Sequence, residues 1–225
     1  MLSFWEKQSL LYYDTIIIGA GIVGLSTAMA IKEKSPKTRV LVLERGILPT
    51  GASTKNAGFA CTGSLTEIID DLGRMSEDEL LKLVELRYKG LKKLRKRLGD
   101  ANIDYAENGS WELINSSAEQ AGAIGRIDEI NQKLKTVLGN NAFEAYTYSK
   151  HKDDFGFDES SVQFIVKNNC EGELNSGMMM RALIDLCLCN GIEIKTGCEV
   201  SRIEEGNQTV EVVVQHTYLE RRNKF

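Results

Sequence analysis

Near the start of the chain, two short apolar runs flank one segment with helical apolar periodicity, which is the pattern of an α/β protein. Buried strands are predicted over residues 14–18 and 38–44, with a helix from Ile22 to about Glu33 between them. Strand, helix and strand fit within about 30 residues, the usual length of a β-α-β unit with a right-handed crossover. This segment therefore predicts a parallel sheet.

The middle of the chain combines a long amphipathic segment with short strand-like runs. Apolar residues on one face predict a helix from Ser76 to Gly99, and Ser76 stands at capping-box spacing from Glu79. A pair of strands is predicted next, over residues 103–107 and 110–114. This mixture is typical of an α+β segment.

Beyond this segment the strand signals are weaker. Ser117 and Gln120 form a second predicted capping box at the start of a helix, and residues 141–168 are predicted to hold one or two strands. A helix is predicted from near Ser176 to Gly191. Three strands should follow it, over residues 192–195, 200–204 and 209–214.

A G-x-G-x-x-G turn joins the first strand to the first helix. Gly19 suits the sharp turn, Gly21 leaves the backbone N–H groups open to a pyrophosphate, and Gly24 lets the helix pack close to the strand. The N–H groups and dipole of a helix N-terminus attract an anion. Glu44 ends the second strand, where a carboxylate accepts hydrogen bonds from an adenosine ribose and disfavours NADP. The motif predicts a dinucleotide site, and its spacing alone leaves FAD and NAD open.

Four stretches of the sequence resemble the D-amino-acid-oxidase-like (DAO) superfamily of FAD-dependent oxidoreductases. They are YDTIIIGAGIVGLSTAMAI, VLVLERG, GASTKNAGFACTGS and EGELNSGMMMRALIDLCLCNGIEIKTGCEVSRIEE, so the resemblance extends to about Val214. The first motif is shared by many nucleotide-binding enzymes, whereas the loop GASTKNAG is more specific. We call this loop, Gly51–Gly58, the cofactor loop.

The resemblance implies that the cofactor loop wraps the pyrophosphate and lies beside the flavin ring. Small residues there admit a cofactor, and hydroxyl, amide and backbone donors can bond phosphate oxygens. The backbone of Val200 is expected to hold the adenine edge. The predicted FAD-binding residues are Gly19, Gly21, Ile22, Val23, Gly24, Glu44, Arg45, Ala52, Ser53, Thr54, Asn56, Ala57, Gly58 and Val200.

The fold implied is a Rossmann-like FAD-binding domain, with a parallel sheet and an antiparallel β-meander, plus part of an inserted α+β substrate domain. The expected segments are 1–75 for the first part of the FAD-binding domain, 76–168 for the insertion, 169–214 for the return and 215–225 for a tail outside the family pattern. The function implied is oxidation of a small amine, amino acid or 2-hydroxy acid by hydride transfer to flavin. No catalytic residue is predicted.

Family members are longer than these 225 residues, and the tail HTYLERRNKF has no buried-strand pattern. The chain is therefore expected to be an N-terminal portion with an exposed edge on its first strand, weak FAD binding and little turnover alone. Two alternatives remain at this point. One is an NAD-dependent oxidoreductase, and the other is a non-catalytic module that binds a partner through the unpaired edge.

The composition argues against several other classes of function. The net charge of −4 argues against nucleic-acid binding, and no apolar stretch approaches the roughly 20 residues of a membrane span. Five cysteines without framework spacing, and no export signal, predict reduced thiols in a cytoplasmic protein, with Cys61 a candidate near-flavin thiol. No metal site is predicted, and a homo-oligomer is compatible with the sequence.

Overall fold

The computed structural model describes residues 3–115, 122–158, 160–207 and 209–216. The helices are α1 (Phe4–Leu10), α2 (Ile22–Lys34), α3 (Leu65–Leu72), α4 (Glu77–Leu98), α5 (Asp100–Ile103), α6 (Ile127–Leu138), α7 (Lys152–Phe155) and α8 (Ser176–Cys189). The strands are β1 (Thr15–Ile18), β2 (Val40–Leu43), β3 (Phe59–Ala60), β4 (Ser110–Ile114), β5 (Phe143–Thr147), β6 (Phe164–Asn168), β7 (Gly172–Glu173), β8 (Glu193–Lys195), β9 (Cys198–Glu205) and β10 (Val210–His216). Of the helices in these residues, none combines the length and apolar character that a bilayer span requires.

The chain forms two units. Residues up to Ala57 join those from Ser176 onward in the first unit, and Gly58–Asn175 form the second. The boundaries expected from the sequence, at 75/76 and 168/169, both lie inside the second unit. The reason is that β3 pairs with β7, and α3 packs in the same apolar core as α4 and α6.

The first unit is built on a parallel sheet in the order β1-β2-β8. Its pairs run from Thr15 opposite Val40 to Ile18 opposite Leu43, and from Leu41 opposite Glu193 to Leu43 opposite Lys195. All four residues of the central strand β2 are buried, as its unbroken apolar run predicts for a strand covered on both sides. The predicted parallel α/β sheet is thus confirmed.

The burial predicted for the first strand is only partly correct. Residues of β1 are half-buried, and the side chain of Ile18 is 53% exposed. The physical reason is that β1 lies at the edge of the sheet. Within the described residues it has β2 as its one strand neighbour.

The return segment completes the first unit. Helix α8 packs on α2, where the Cys187 thiol donates to the carbonyl of Leu25 at 3.6 Å. Strands β9 and β10 then form an antiparallel pair with a register shift between Val213 and Val214. Apolar residues of this pair, among them Val200, pack against β2. The antiparallel part of the predicted fold is therefore present.

The second unit holds an antiparallel sheet in the order β4-β6-β5. Its core side packs against α3, α4 and α6. The predicted capping box of α4 is confirmed, because Ser76 and Glu79 bond each other's backbone N–H groups. The predicted capping box at Ser117 and Gln120 lies outside the described residues, and the stretch 141–168 holds β5 and β6.

Residues 103–107 do not form the predicted strand. The single helical turn α5 ends at Asp104 with a left-handed backbone, φ +50°. Arg95 on α4 pairs with Asp100 at 2.9 Å and with Glu107 at 3.3 Å. The Tyr105 N–H closes the turn on the carbonyl of Asp100 at 3.0 Å, and Ala106 forms an isolated bridge with Glu173. Strand β4 pairs with β6 instead.

A buried asparagine ties α6 to the start of β5. Asn131 is 5% exposed, and its side chain both donates to the carbonyl and accepts from the N–H of Phe143, each at 2.8 Å. The N131L variant should lower the free energy of unfolding by about 2–3 kcal/mol, because it leaves both backbone groups without a partner. Urea denaturation measures this loss. The neighbouring exposed change Q132L should stay within about 0.5 kcal/mol of wild type, and an equal loss in both variants would refute the assignment.

Candidate cofactor-binding site

The glycine turn joins β1 to α2, and the backbone there leaves very little space for side chains. Gly19 has φ +97°, which favours glycine, and its N–H donates to the carbonyl of Leu43 at 2.7 Å. A Cβ on Gly24 would lie 2.0 Å from the carbonyl oxygen of Gly19. A side chain at Gly24 is therefore incompatible with this turn. The N-terminus of α2 is exposed here, and its first turn carries no acidic side chain.

Ser53 of the cofactor loop reaches the N-terminus of α2. Its hydroxyl oxygen accepts from the N–H of Ile22 at 3.0 Å, across 31 residues of sequence. A Cβ on Gly21 would lie 3.0 Å from the same oxygen. Since this oxygen accepts the Ile22 bond, its own proton is available to a ligand. The predicted glycine turn and the predicted cofactor loop thus meet at one point.

Glu44 lies at the end of β2 and bonds both sides of the turn. One carboxylate oxygen accepts from the N–H of Ala20 at 2.9 Å, and the other accepts from the N–H of Gly46 at 3.0 Å. Each carboxylate oxygen retains a second lone pair for a ribose hydroxyl. Sequence reasoning missed Gly46, where a Cβ would lie 2.5 Å from the carbonyl oxygen of Leu48. The E-x-G spacing of Glu44 and Gly46 is the sequence signal that could have identified this glycine.

Polar side chains of the cofactor loop shape the loop itself. The Thr54 hydroxyl donates to the carbonyl of Pro49 at 2.9 Å, and the Asn56 amide donates to the carbonyls of Ala52 and Ser53 at 3.0 and 3.1 Å. Ala52 and Ala57 are exposed and small. The loop therefore presents backbone and small side chains to its surroundings.

Three further predicted residues lie around the turn. Val23 is 76% exposed on the first turn of α2, and the side chain of Arg45 is exposed after β2. Val200 packs in the apolar cluster beside β2, and β9 begins where the Cys198 N–H donates to the carbonyl of Glu44 at 2.8 Å. The backbone of β9 is thereby held next to the end of β2.

Gly58 and Cys61 belong to the second unit. Gly58 has φ +80°, and a Cβ there would lie 2.0 Å from the carbonyl oxygen of Leu174. Partial burial of the Cys61 thiol, followed by the negative charges of Glu171 and Glu67, raises its pKa. A raised pKa keeps the thiol protonated and less nucleophilic at neutral pH.

The donor set of the first unit fits a dinucleotide pyrophosphate. The first N–H groups of a helix have no intrahelical acceptor, and in the described residues those of Val23 and Gly24 have none from elsewhere. The Ser53 hydroxyl adds a third donor beside them. A helix N-terminus whose own first turn carries no acidic side chain suits an anion, and Glu44 beside it suits a ribose. In the described part of the chain, no cluster of His, Cys, Asp and Glu could hold a metal ion.

Comparison with known proteins favours FAD over NAD. A family of FAD-dependent oxidoreductases, DAO, matches residues 14–223. The chain belongs to this family. FAD is the cofactor of the DAO family, which confirms the cofactor prediction and weakens the NAD alternative.

Individual proteins resemble this chain in sequence or in fold. The probable oxidoreductase OrdL of Haemophilus influenzae is 25% identical over 209 residues, which cover 88% of this chain and 44% of OrdL. Glycine oxidase from Bacillus cereus has a TM-score of 0.62 at 21% identity, over 90% of this chain and 53% of its own. L-proline dehydrogenase from P. horikoshii has a TM-score of 0.67 at 18% identity, over 90% of this chain and 49% of its own. This chain thus spans about half the length of these relatives.

Proposed function

We propose that this chain supplies the pyrophosphate- and adenosine-binding part of an FAD-dependent oxidoreductase acting on a small amine or amino acid. The observation that carries the proposal is the meeting of Ser53 and Glu44 at the glycine turn, through the N–H groups of Ile22 and Ala20. The names of the DAO relatives, glycine oxidase and L-proline dehydrogenase, favour an amino acid ahead of a 2-hydroxy acid. The predicted site residues remain proposals for this chain.

The residues of the proposed site contribute to FAD binding in different ways. Bound FAD supplies a two-electron acceptor that takes a hydride equivalent from a substrate C–H bond. The N–H groups of Val23 and Gly24 and the hydroxyl of Ser53 bind the pyrophosphate oxygens, and the positive end of the α2 dipole adds to their attraction. The carboxylate of Glu44 accepts from the ribose hydroxyls. Gly21 and Ala52 leave room for the cofactor.

The cell compartment is a second part of the proposal. Five cysteines are present and all are free thiols, which is typical of a reducing compartment. We therefore expect the protein in the cytoplasm.

Incubation with excess FAD followed by rapid gel filtration should leave a fraction of the flavin on the protein, seen as bands near about 375 and 450 nm, since the expected affinity is weak. The S53A variant should bind FAD roughly three- to tenfold more weakly, because it loses one hydrogen-bonding hydroxyl. The matched control is S201A, whose hydroxyl donates to the carbonyl of Val213 at 3.2 Å in the same unit. FAD titration followed by flavin fluorescence measures each dissociation constant.

A flat spectrum together with saturable NADH binding would replace this proposal with the NAD alternative. A flat spectrum without NADH binding would leave the chain as a non-catalytic module. Equal weakening in S53A and S201A would show that Ser53 has no direct part in binding.

A further inference from the structure

A buried carboxylate stands at the centre of a polar cluster in the second unit. Glu171 is 3% exposed, and its neighbours Thr62 and Asn168 are 2% and 3% exposed. A charged group in such surroundings is costly unless hydrogen bonds replace its water. Glu171 belongs to no predicted motif, and it lies outside the proposed set of FAD-binding residues.

Four donors converge on this carboxylate. One oxygen accepts from the backbone N–H of Thr62, from the N–H of Gly63 at 2.8 Å and from the Thr62 hydroxyl at 3.1 Å. The other oxygen accepts from the Ser110 hydroxyl at 2.6 Å. The Asn168 amide adds a bond to the carbonyl of Gly63 at 3.1 Å. Three of the four donors to Glu171 thus come from Thr62 and Gly63.

The donor segment continues directly from the cofactor loop. Gly58, the last residue of that loop, accepts from the Leu174 N–H at 2.9 Å. The next residues form β3, which pairs antiparallel with β7, so that Ala60 lies opposite Gly172. Glu171 follows at the end of this short ladder and bonds the residues after β3. Residues 58–63 are therefore held against residues 171–174 along their whole length.

A two-residue strand pair is weak on its own, because a short ladder contributes few hydrogen bonds. A carboxylate that binds two successive backbone N–H groups fixes both the register and the direction of the strand that leads into them. Ser110 on β4 holds the other side of the carboxylate, which ties it to the three-stranded sheet. The ladder is thereby attached to a rigid element of the same unit.

We propose that Glu171 is a positioning residue for Gly58, the last residue of the cofactor loop, because its carboxylate fixes the segment 58–63 that begins there. The consequence for FAD affinity rests on the proposed function, whereas the ordering of the segment does not. The alternative is that Glu171 only stabilises the second unit as a whole. The two ideas predict different segments of faster hydrogen exchange when the carboxylate is removed.

Hydrogen exchange of the FAD-free protein separates them. The E171M variant removes both acceptor oxygens at similar volume, and peptides covering residues 58–63 should exchange about tenfold faster. E171Q should stay within about twofold of wild type, because its amide oxygen still accepts from Thr62 and Gly63 while its NH2 group donates to Ser110.

Glu112 offers a matched control in the same unit. Its carboxylate accepts from the N–H groups of Leu65 and Thr66 at 2.9 and 3.4 Å, at the start of α3. E112M should accelerate exchange in residues 65–72 and leave residues 58–63 unchanged. If E112M loosens residues 58–63 as much as E171M does, or if E171M leaves them at the wild-type rate, the proposal is overturned.

A milder variant covers the case in which E171M does not fold, as judged by circular dichroism. S110A removes one donor only, and it should raise exchange about threefold in residues 58–63 but not in 65–72. No change in S110A, or an equal change in both segments, would count against the proposal in the same way.

FAD titration gives the functional readout. E171M should raise the dissociation constant for FAD about tenfold, and E171Q and E112M should leave it near wild type. If wild-type protein does not bind FAD, the proposed function fails while the exchange result still decides the role of Glu171 in ordering residues 58–63. If FAD binds equally to wild type and E171M, the positioning role is wrong.

Discussion

Replacing Gly24 by alanine is expected to abolish retention of FAD on gel filtration. The added Cβ would stand 2.0 Å from the carbonyl oxygen of Gly19, a backbone atom that cannot yield as a flexible side chain would. The turn must open to accept it, which moves the N–H groups of Val23 and Gly24 away from their positions. We also expect the free energy of unfolding to fall by about 1–3 kcal/mol, measured by urea denaturation.

Gly90 provides the control for this substitution. It is an exposed glycine in the helix α4, and a Cβ there meets nothing within 4 Å. G90A should stabilise the protein by about 0.5–1 kcal/mol, because alanine favours helix, and should leave FAD affinity unchanged. Normal FAD binding by a folded G24A protein would show that the close approach of Gly24 to Gly19 is not required.

Replacing Glu44 by glutamine should raise the dissociation constant for FAD by roughly 10- to 100-fold. The carboxylate accepts from the N–H groups of Ala20 and Gly46 with different oxygens. Glutamine has one acceptor oxygen, so its NH2 group must face one of these donors and leave that N–H without a partner. Such a loss costs about 1–3 kcal/mol, and an acceptor for the ribose is lost at the same time.

The control is E193Q on the neighbouring strand β8. Glu193 accepts from the Tyr13 hydroxyl at 2.6 Å, and glutamine can keep that bond through its oxygen. We expect FAD titration to give a wild-type dissociation constant for E193Q. A wild-type value for E44Q would exclude Glu44 as a residue that contributes to FAD affinity.

The β-α-β unit could be predicted from the sequence because its signals are local. The spacing of Gly19, Gly21 and Gly24, and the apolar run of β2, each depend on neighbours within a few residues. The capping box of Ser76 and Glu79 is equally local. Such patterns hold because nothing distant competes with them.

Features that depend on distant partners could not be predicted. The bond from Ile22 to Ser53 spans 31 residues, and the cluster around Glu171 joins segments about 108 residues apart. Residues 103–107, where the sequence favours a strand, turn at Asp104 and meet the distant Glu173 through Ala106. Spacing shows which residue types stand near a motif, and tertiary packing decides which of their atoms meet.

The order of the central sheet also has a consequence for synthesis in the cell. Strand β2 pairs with β1, whose residues lie about 25 positions earlier in the chain, and with β8, whose residues lie about 150 positions later. The second unit is continuous in sequence and can fold as soon as it leaves the ribosome. One edge of β2 stays without its partner strand until β8 has been translated, so the parallel sheet cannot be completed before then. The nucleotide-binding turn is thus made first and stabilised last.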